Sequence, residues 1–576
     1  MRKGKKGFAA LALVISLILV TTACNSKNNN NGNTASAPPS SASAPSSQSA
    51  EPTESAAASE EIDPVGKYAT PINISTAMAI TGSMKFPPGD TIDNNVWTRS
   101  YLDDLGIQLK NDWTADASTF EQKMNVSIAS GNVPDLIPVK AVQLKQLVDA
   151  NMVEDLTEVW NKYASPLTKQ IFTEEGNIAL DSATFNGKLM AIPSVSGSFD
   201  ASTLLWVRSD WLKKLNLPEP KTIDDVVKIA DAFTNQDPDG NGKKDTIGLE
   251  LQKELYERNS GYAGIDGFMF GYHAYPRFWI KDASGNLVNG SIQPEVKAAL
   301  LKLQEMYKAG LIDKEFGSKD TNKAAEPQGA GKNGLSYGHM WNPLFPFNAS
   351  RDNDPKAEWT AYPIVSVDDK PAMPGITQSI NDFVAVKKGY ANPEAAIKML
   401  NLYIERNYGK SKTLETLQKY AKTPDGIEVF KFAVMRAGSS KQNLNIHLSV
   451  TEALKSKDTS KLDPTQKETY DLITKYLSGS GTTAEWSQDR IFGETGSFRA
   501  MNEYAKNNLD YYNEFYGTPT KTMAAKQSTL DKMEYEVFTK IIMGDSIDKF
   551  DKFVQDWKKV GGDEITKEVN EWYKNK

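Results

Sequence analysis

Apolar and polar residues follow two periods along this chain. The stretch "TPINISTAMAI", ending at Ile80, is apolar and β-branched enough for a buried strand, and a helix is expected over Asn94 to Leu105. "GIQLKNDW" predicts a second strand. "DASTFEQKMNVSIASG" predicts a helix with Phe120, Met124, Val126 and Ile128 as its apolar side chains and Gly131 as its stop. "VPDLIPV" predicts a third, short strand. Strand and helix in alternation point to an open, mostly parallel α/β sheet.

The same order returns further on. "STLLWVRSDWLKKLNL" reads as a strand running into a helix. "KTIDDVVKIADAF" starts a helix at Thr222, with Asp225 three residues later to complete a capping box. Its apolar positions Ile223, Val226, Val227, Ala230 and Phe233 fit one face. "QPEVKAALLKLQEMYKAG" is a helix ended by Gly310, and the strand "DFVAVKKG" leads into the helix "NPEAAIKMLNLYI". The last third is largely helical. There "SIDKFDKFVQDWKKVGG" places Ile547, Phe550, Phe553, Val554 and Trp557 on one side. Trp97, Trp206, Trp211, Trp557 and Trp572 fall inside these patterns and are expected in the core. No internal repeat has a solenoid period.

The N-terminus departs from both periods. Arg2, Lys3, Lys5 and Lys6 precede an apolar run, Phe8 to Val20, which is too short to span a bilayer and suits a signal h-region. Cys24 follows and is the only cysteine, so no disulfide forms within the chain. The pattern resembles a bacterial lipoprotein signal over residues 1–23, with lipidation at Cys24, although Thr21 stands where leucine is usual. The alternative is an ordinary signal peptide with an incidental cysteine. Residues 24–61 hold little besides Asn, Ser, Ala, Pro, Gln and Glu, and read as a disordered tether. The 576-residue chain carries a formal charge of −7, more negative once the four N-terminal cations are gone. That balance argues against a nucleic-acid binder. The remaining length implies two or more domains.

The motif richest in chemistry is "QDPDGNGKKDTIG". Asp237, Asp239, Asn241 and Asp245 stand at positions 1, 3, 5 and 9 of an EF-hand-like loop, and Lys243 at position 7 offers a carbonyl. Gly242 supplies the turn at position 6. Position 12 is Gly248 rather than the bidentate Glu, and no strong exiting helix follows, so the loop (237–248) is not a sensor EF-hand. A structural calcium ion is expected there. The alternative is a metal-free turn, since Asp, Asn and Gly favour turns by themselves.

Taken in order, "SGNVPDLI", "FNGKLMAIP", "LWVRSDWLKKLNLPEPKTIDD", "DPDGNGKKDTIGL", "IKDASGNLVNGSIQPEVKAAL", "NPEAAIKMLN", "GTPTKTM" and the ending "FVQDWKKVGGDEITKEVNEWYKNK" resemble the extracellular solute-binding lipoproteins of ABC importers. The match is with the LplA-like oligosaccharide-binding branch, related to alginate- and maltodextrin-binding proteins. The resemblance implies a two-lobed, periplasmic-binding-protein-like α/β fold of type II, with a hinge and a ligand cleft. By analogy one lobe takes residues 62–191 plus 371–437 and the other 192–370 plus 438–576. It also implies that Thr246, after the last Asp, joins the calcium ligands, as in the alginate-binding relatives. The function implied is capture of an extracellular oligosaccharide by a lipid-anchored monomer on the outer face of the cell membrane. The chain shows no Walker motif, so delivery needs separate permease and ATPase partners.

A sugar site wants flat aromatics and planar polar groups. Tyr275 and Trp279 fall where maltodextrin-binding relatives carry cleft aromatics, and Trp341, with Asn342 beside it, falls in a similar loop. Phe199 and Asp200 follow a lobe crossing. Tyr516 lies in a loop expected to close the cleft, and Trp486 is a further candidate. Arg277 would suit a uronate carboxylate. The first-lobe loop "AITGSMKF" should also face the cleft. After the "PDLI" strand, Val139 and Lys140 replace the aromatic that relatives often have, so a different sugar is expected. The rival readings are a receptor of the same fold for a peptide or other small solute, and an extracellular glycan-degrading enzyme. His273, His339 and His447 show no metal or triad spacing, and HExxH and GxSxG are absent. No enzymatic activity is therefore expected.

Overall fold

The computed structural model describes residues 62–81, 84–377, 380 and 382–575. The expected signal peptide, Cys24 and the tether lie outside the described residues, as do Gly82 and Ser83 of the "AITGSMKF" loop. In chain order, the strands that position the site are β1 (Ile72–Ile80), β2 (Ile107–Asp116), β3 (Leu136–Val139), β4 (Ile192–Pro193), β5 (Leu204–Arg208), β6 (Ile247–Leu249), β7 (Asn333–Gly338), β8 (Trp359–Tyr362), β9 (Gly375–Ile376), β10 (Phe383–Val386) and β11 (Tyr511–Tyr512).

Two separate hydrophobic cores organise them. The first gathers buried side chains from Ile74 to Ile192 and again from Phe383 to Ala437, with Trp97 and Tyr101 among the largest. The second gathers Phe199 to Ile376 and Leu444 to Val569, around Trp206, Tyr337 and Trp359. Trp211 and Trp557 are buried in the second core as expected, whereas Trp572 is only half-buried, against Phe515 and Tyr516.

In the first lobe β1 and β2 pair in parallel, Ile72 opposite Ile107 and Ile80 opposite Asp116. Thr76 of β1 donates to the Leu136 carbonyl at the start of β3. β10 runs antiparallel between β3 and β4, with Phe383 opposite both Val139 and Pro193. In the second lobe the order is β8-β5-β7-β6. β5 is antiparallel to β7 and β8, with Gly338 opposite Leu204 and Tyr362 opposite Leu205, while β7 is parallel to β6. The sheets are thus mixed rather than mostly parallel. The reason is connectivity: β5 and β10 each start where the chain has just arrived from the other lobe. They run against neighbours that end at that same edge.

The helices form where the periods place them. One departure is informative. Helix Ala117–Ser130 buries Met124 and Ser127 and leaves Val126 65% exposed. Two residues along a helix amount to about 200° of rotation, so Val126 and Met124 cannot share a face. Thr222 caps helix Ile223–Asn235 as expected: it accepts from the Asp225 backbone N–H, and the Asp225 carboxylate accepts from that of Thr222. Thr222→Ala should lower stability by about 1 kcal/mol, seen as a lower urea midpoint at unchanged slope.

Candidate functional site

The register brings one edge of each sheet to the same place. β1, β2, β3 and β4 end there in the first lobe; β7 and β8 end there in the second, beside the starts of β10 and β5. The chain crosses between lobes at this edge three times: after Pro193, after Ile376 and after Ala437. The crossings are bonded to one another. Ser194 N–H donates to the Asp382 carbonyl (2.8 Å) and Gly438 N–H to the Val195 carbonyl (2.9 Å). Glu174 of the first lobe accepts from the Ser439 hydroxyl and from the Ser440 N–H at 2.7 Å.

Carboxylates dominate this edge. Asp200 Oδ2 accepts from Asn443 Nδ2 at 2.6 Å, while its Oδ1 is buried with no hydrogen-bond partner among the described residues. Burial pushes its carboxyl up to about 6. Burial likewise pushes Glu175 up to about 7, with Asp510 and Glu174 adding to it and Ser198 opposing, and pushes Asp510 up to about 6 against the pull of Lys441. A cavity of about 20 Å³, roughly one water molecule in size, lies between Glu175, Ser198, Gly438 and Ser440. A much larger groove, about 1530 Å³, opens between first-lobe residues Tyr403, Tyr408 and Lys412 and second-lobe residues Gln442, Thr465 and Glu468. None of the ligand residues expected from the sequence lines that groove.

The expected ligand residues divide. Asp200, Trp341 and Tyr516 lie at the shared edge with side chains partly exposed. Trp341 follows the end of β7, packed so tightly on Gly261 that a Cβ there would lie 2.0 Å from its ring. Leu344 and Phe345 beside it are 46% and 37% exposed. Tyr516 reaches across to first-lobe Asp181 Oδ2 at 3.3 Å. The others are structural in this arrangement. Phe199, Tyr275, Trp279 and Trp486 are core. Tyr275 stacks on Tyr511 at 4.2 Å, and Trp486 directs its indole N–H at Glu358. Asn342 is fully buried and its Nδ2 donates to the Gly261 carbonyl. Arg277 is held by the buried Glu534 at 2.6 Å and by the Asp531 carbonyl, above the ring of Tyr256. Sequence reasoning missed Glu175, Asn443 and Asp510. Only their nearness to the crossings marks them, and the crossings are a tertiary property.

The 237–246 loop offers the all-oxygen donor set a hard cation wants, and several of its side-chain oxygens have other partners. Both Asp237 carboxylate oxygens accept loop N–H groups, from Asn241 and Gly242. Asn241 turns its Nδ2 toward Asp239 and Asp245 and accepts the Lys243 N–H. Thr246 turns inward to donate to the Phe233 carbonyl. Lys332 Nζ sits against Asp239 Oδ2 at 2.9 Å and Asp245 Oδ2 at 2.8 Å. Among the described residues no group of three or more His, Cys, Asp or Glu side chains is arranged to hold a metal ion. As arranged, Asp239, Asn241, Asp245 and Thr246 are turned to other partners rather than to a shared ion. Position 12 has its own explanation: a Cβ on Gly248 would lie 2.5 Å from the Ala230 backbone of the adjacent helix, so no glutamate fits there.

The family model for bacterial extracellular solute-binding proteins matches residues 103–406, more than half of the chain. The chain belongs to this family. Lipoprotein LipO of Bacillus subtilis (strain 168) is 23% identical to this solute-binding protein over 476 residues, 82% of this chain and 87% of LipO. The fructooligosaccharide ABC transporter substrate-binding protein FusA of Streptococcus pneumoniae serotype 4 is 29% identical over 265 residues, 43% of this chain and 46% of FusA. A solved structure of an S. pneumoniae FusA EF-hand mutant in complex with fructo-nystose superposes with a TM-score of 0.50 and 17% identity, over 87% of this chain and 99% of that one. The HMO binding ABC-transporter associated solute-binding protein of Bifidobacterium longum infantis superposes with a TM-score of 0.59 and 16% identity, over 88% and 99%. The solute-binding protein has the two-lobed type II α/β fold of these structures. Among the described residues no helix is long and apolar enough to cross a membrane.

Two tests follow from the site. Arg277→Ala strands Glu534, 2% exposed, with Tyr256 as its remaining side-chain partner. Stability should fall by about 3–5 kcal/mol. Ligand affinity lost at an unchanged melting temperature would instead place Arg277 on the ligand. Glu175 has its carboxyl raised in the fold, so its contribution is complete below the ordinary carboxylate range and is lost as pH rises through about 7. Glu175→Gln, which mimics the protonated form, should gain melting temperature relative to the parent between pH 5 and about 8. Parallel pH profiles of variant and parent would refute this.

Proposed function

We propose that this solute-binding protein captures an extracellular oligosaccharide at the shared edge of its two lobes and passes it, chemically unaltered, to the permease and ATPase of an ABC importer. The observation that carries this reading is the meeting of both sheets' strand ends at three mutually bonded crossings. Trp341, Tyr516 and Asp200 stand there with unburied surface. Aromatic and carboxylate side chains suit the C–H faces and hydroxyls of a saccharide. The fructooligosaccharide and HMO named for FusA and for the Bifidobacterium protein support the same ligand class. Hinge closure about crossings of this kind is a recurring motion of binding proteins.

We take the lobes as 62–191 plus 371–437 and 192–370 plus 438–576, with the return crossing moved past Ile376, which packs in the second core. A monomer held on the outer face of the membrane by lipid on Cys24 completes the reading, and LipO's designation as a lipoprotein supports that anchor. This reading assigns no calcium to the loop, whose Asp239 and Asp245 carboxylates are paired with Lys332.

One observation favours a glycan-cleaving enzyme: Glu175, with its carboxyl raised to about 7, resembles a general acid. Its surroundings argue otherwise. The cavity beside it, about 20 Å³, has no room for a glycosidic bond.

A glycan screen of the mature chain, followed by calorimetry and product analysis, tests the reading. Binding without released product is expected. Trp341→Ala and Tyr516→Ala should each weaken the affinity of the folded protein by about tenfold or more, roughly 1.4 kcal/mol. Product release would establish the enzyme, and binding to peptides alone would establish the rival receptor.

A further inference from the structure

The EF-hand-like loop is met by a cation from elsewhere in the chain. The loop runs directly into β6, and β6 pairs with β7, with Asn333 opposite Ile247. Ile247 N–H donates to the Lys332 carbonyl at 2.8 Å. Lys332, immediately before β7, is therefore fixed by sheet pairing beside the last residues of the loop. From there its Nζ bridges Asp239 and Asp245, at 2.9 and 2.8 Å. A second ammonium, that of Lys214, donates to the Pro238 carbonyl at 2.9 Å and lies against Gly240. The loop itself adds Lys243 and Lys244.

Calcium loops draw six to eight oxygens onto one ion, with affinity set largely by the count of negative ligands. Here a single ammonium from outside the loop bridges two of the three carboxylates and offsets one of their charges. The Asn241 amide also donates to both of them, so the centre of the loop is a network of donors and acceptors. Gly248 removes the bidentate ligand for a packing reason.

We propose that Lys332 is a tethered counter-ion standing where a metal ion would otherwise draw this loop together. The second lobe then folds without calcium.

The test uses the full mature chain, with the melting temperature read by calorimetry in excess EDTA and in about 5 mM calcium, above the ~10⁻⁴–10⁻³ M range of weak extracellular sites. The parent should shift by less than ~1 °C between the two buffers. Lys332→Met should melt lower in EDTA and recover by at least ~2 °C with calcium, because the freed carboxylates now bind the ion. Lys332→Gln, uncharged but still a hydrogen-bond donor, is made in parallel in case Lys332→Met does not accumulate. A parent that loses stability in EDTA overturns the proposal. So does a soluble uncharged variant that gains no calcium response. If neither variant accumulates, the parent's response to EDTA decides alone.

Discussion

Everything in this fold depends on the chain crossing three times between two cores that do not merge. A single core would bury its polar connections or exclude them. Here the connections must run through the gap, so their backbone groups have to satisfy one another there. They do so through Ser194 with Asp382, Gly438 with Val195, and Glu174 with Ser439 and Ser440. The crossings also set strand direction. Strands that arrive from the far lobe begin at the gap, and the others end there, so both sheets present loops rather than strand middles to each other.

The carboxylates follow from the same constraint. Glu175, Asp200 and Asp510 are held where two lobes shield them from water without supplying a full set of donors. Their protons are consequently retained above the ordinary range. A hinge region lined this way resists packing into a dry interface. A hydrophobic seam in the same place would have joined the lobes permanently.

Local features were legible in the sequence and distant pairings were not. Thr222 with Asp225, Gly131 and Gly310 mark helix boundaries that the structure keeps, because caps are set by neighbours within a few residues. Val126 is apolar but lies on the solvent side of its helix, because its position is about 200° from that of Met124. The tryptophans divide for a tertiary reason. Trp486 and Trp341 look alike in the sequence, but Trp486 is sealed by Glu358 and Arg351 from another element, whereas Trp341 follows a strand end at the gap. The orientation of Arg277 is likewise a tertiary matter, since its partner Glu534 lies 257 residues along the chain.

The loop carries that point furthest. Spacing of Asp and Asn specifies where acceptors converge, and it says nothing about which positive charge meets them. That is decided by whatever the sheet places next to the loop's exit. Because β6 pairs with β7, the residue before β7 is a neighbour of Asp245 even though 86 residues of other structure intervene. A lysine there converts a metal-binding pattern into an ion-paired turn, by the same physics that converts Arg277 from a ligand fork into a structural cation. In both cases the motif supplies half of an electrostatic contact, and the fold chooses the other half.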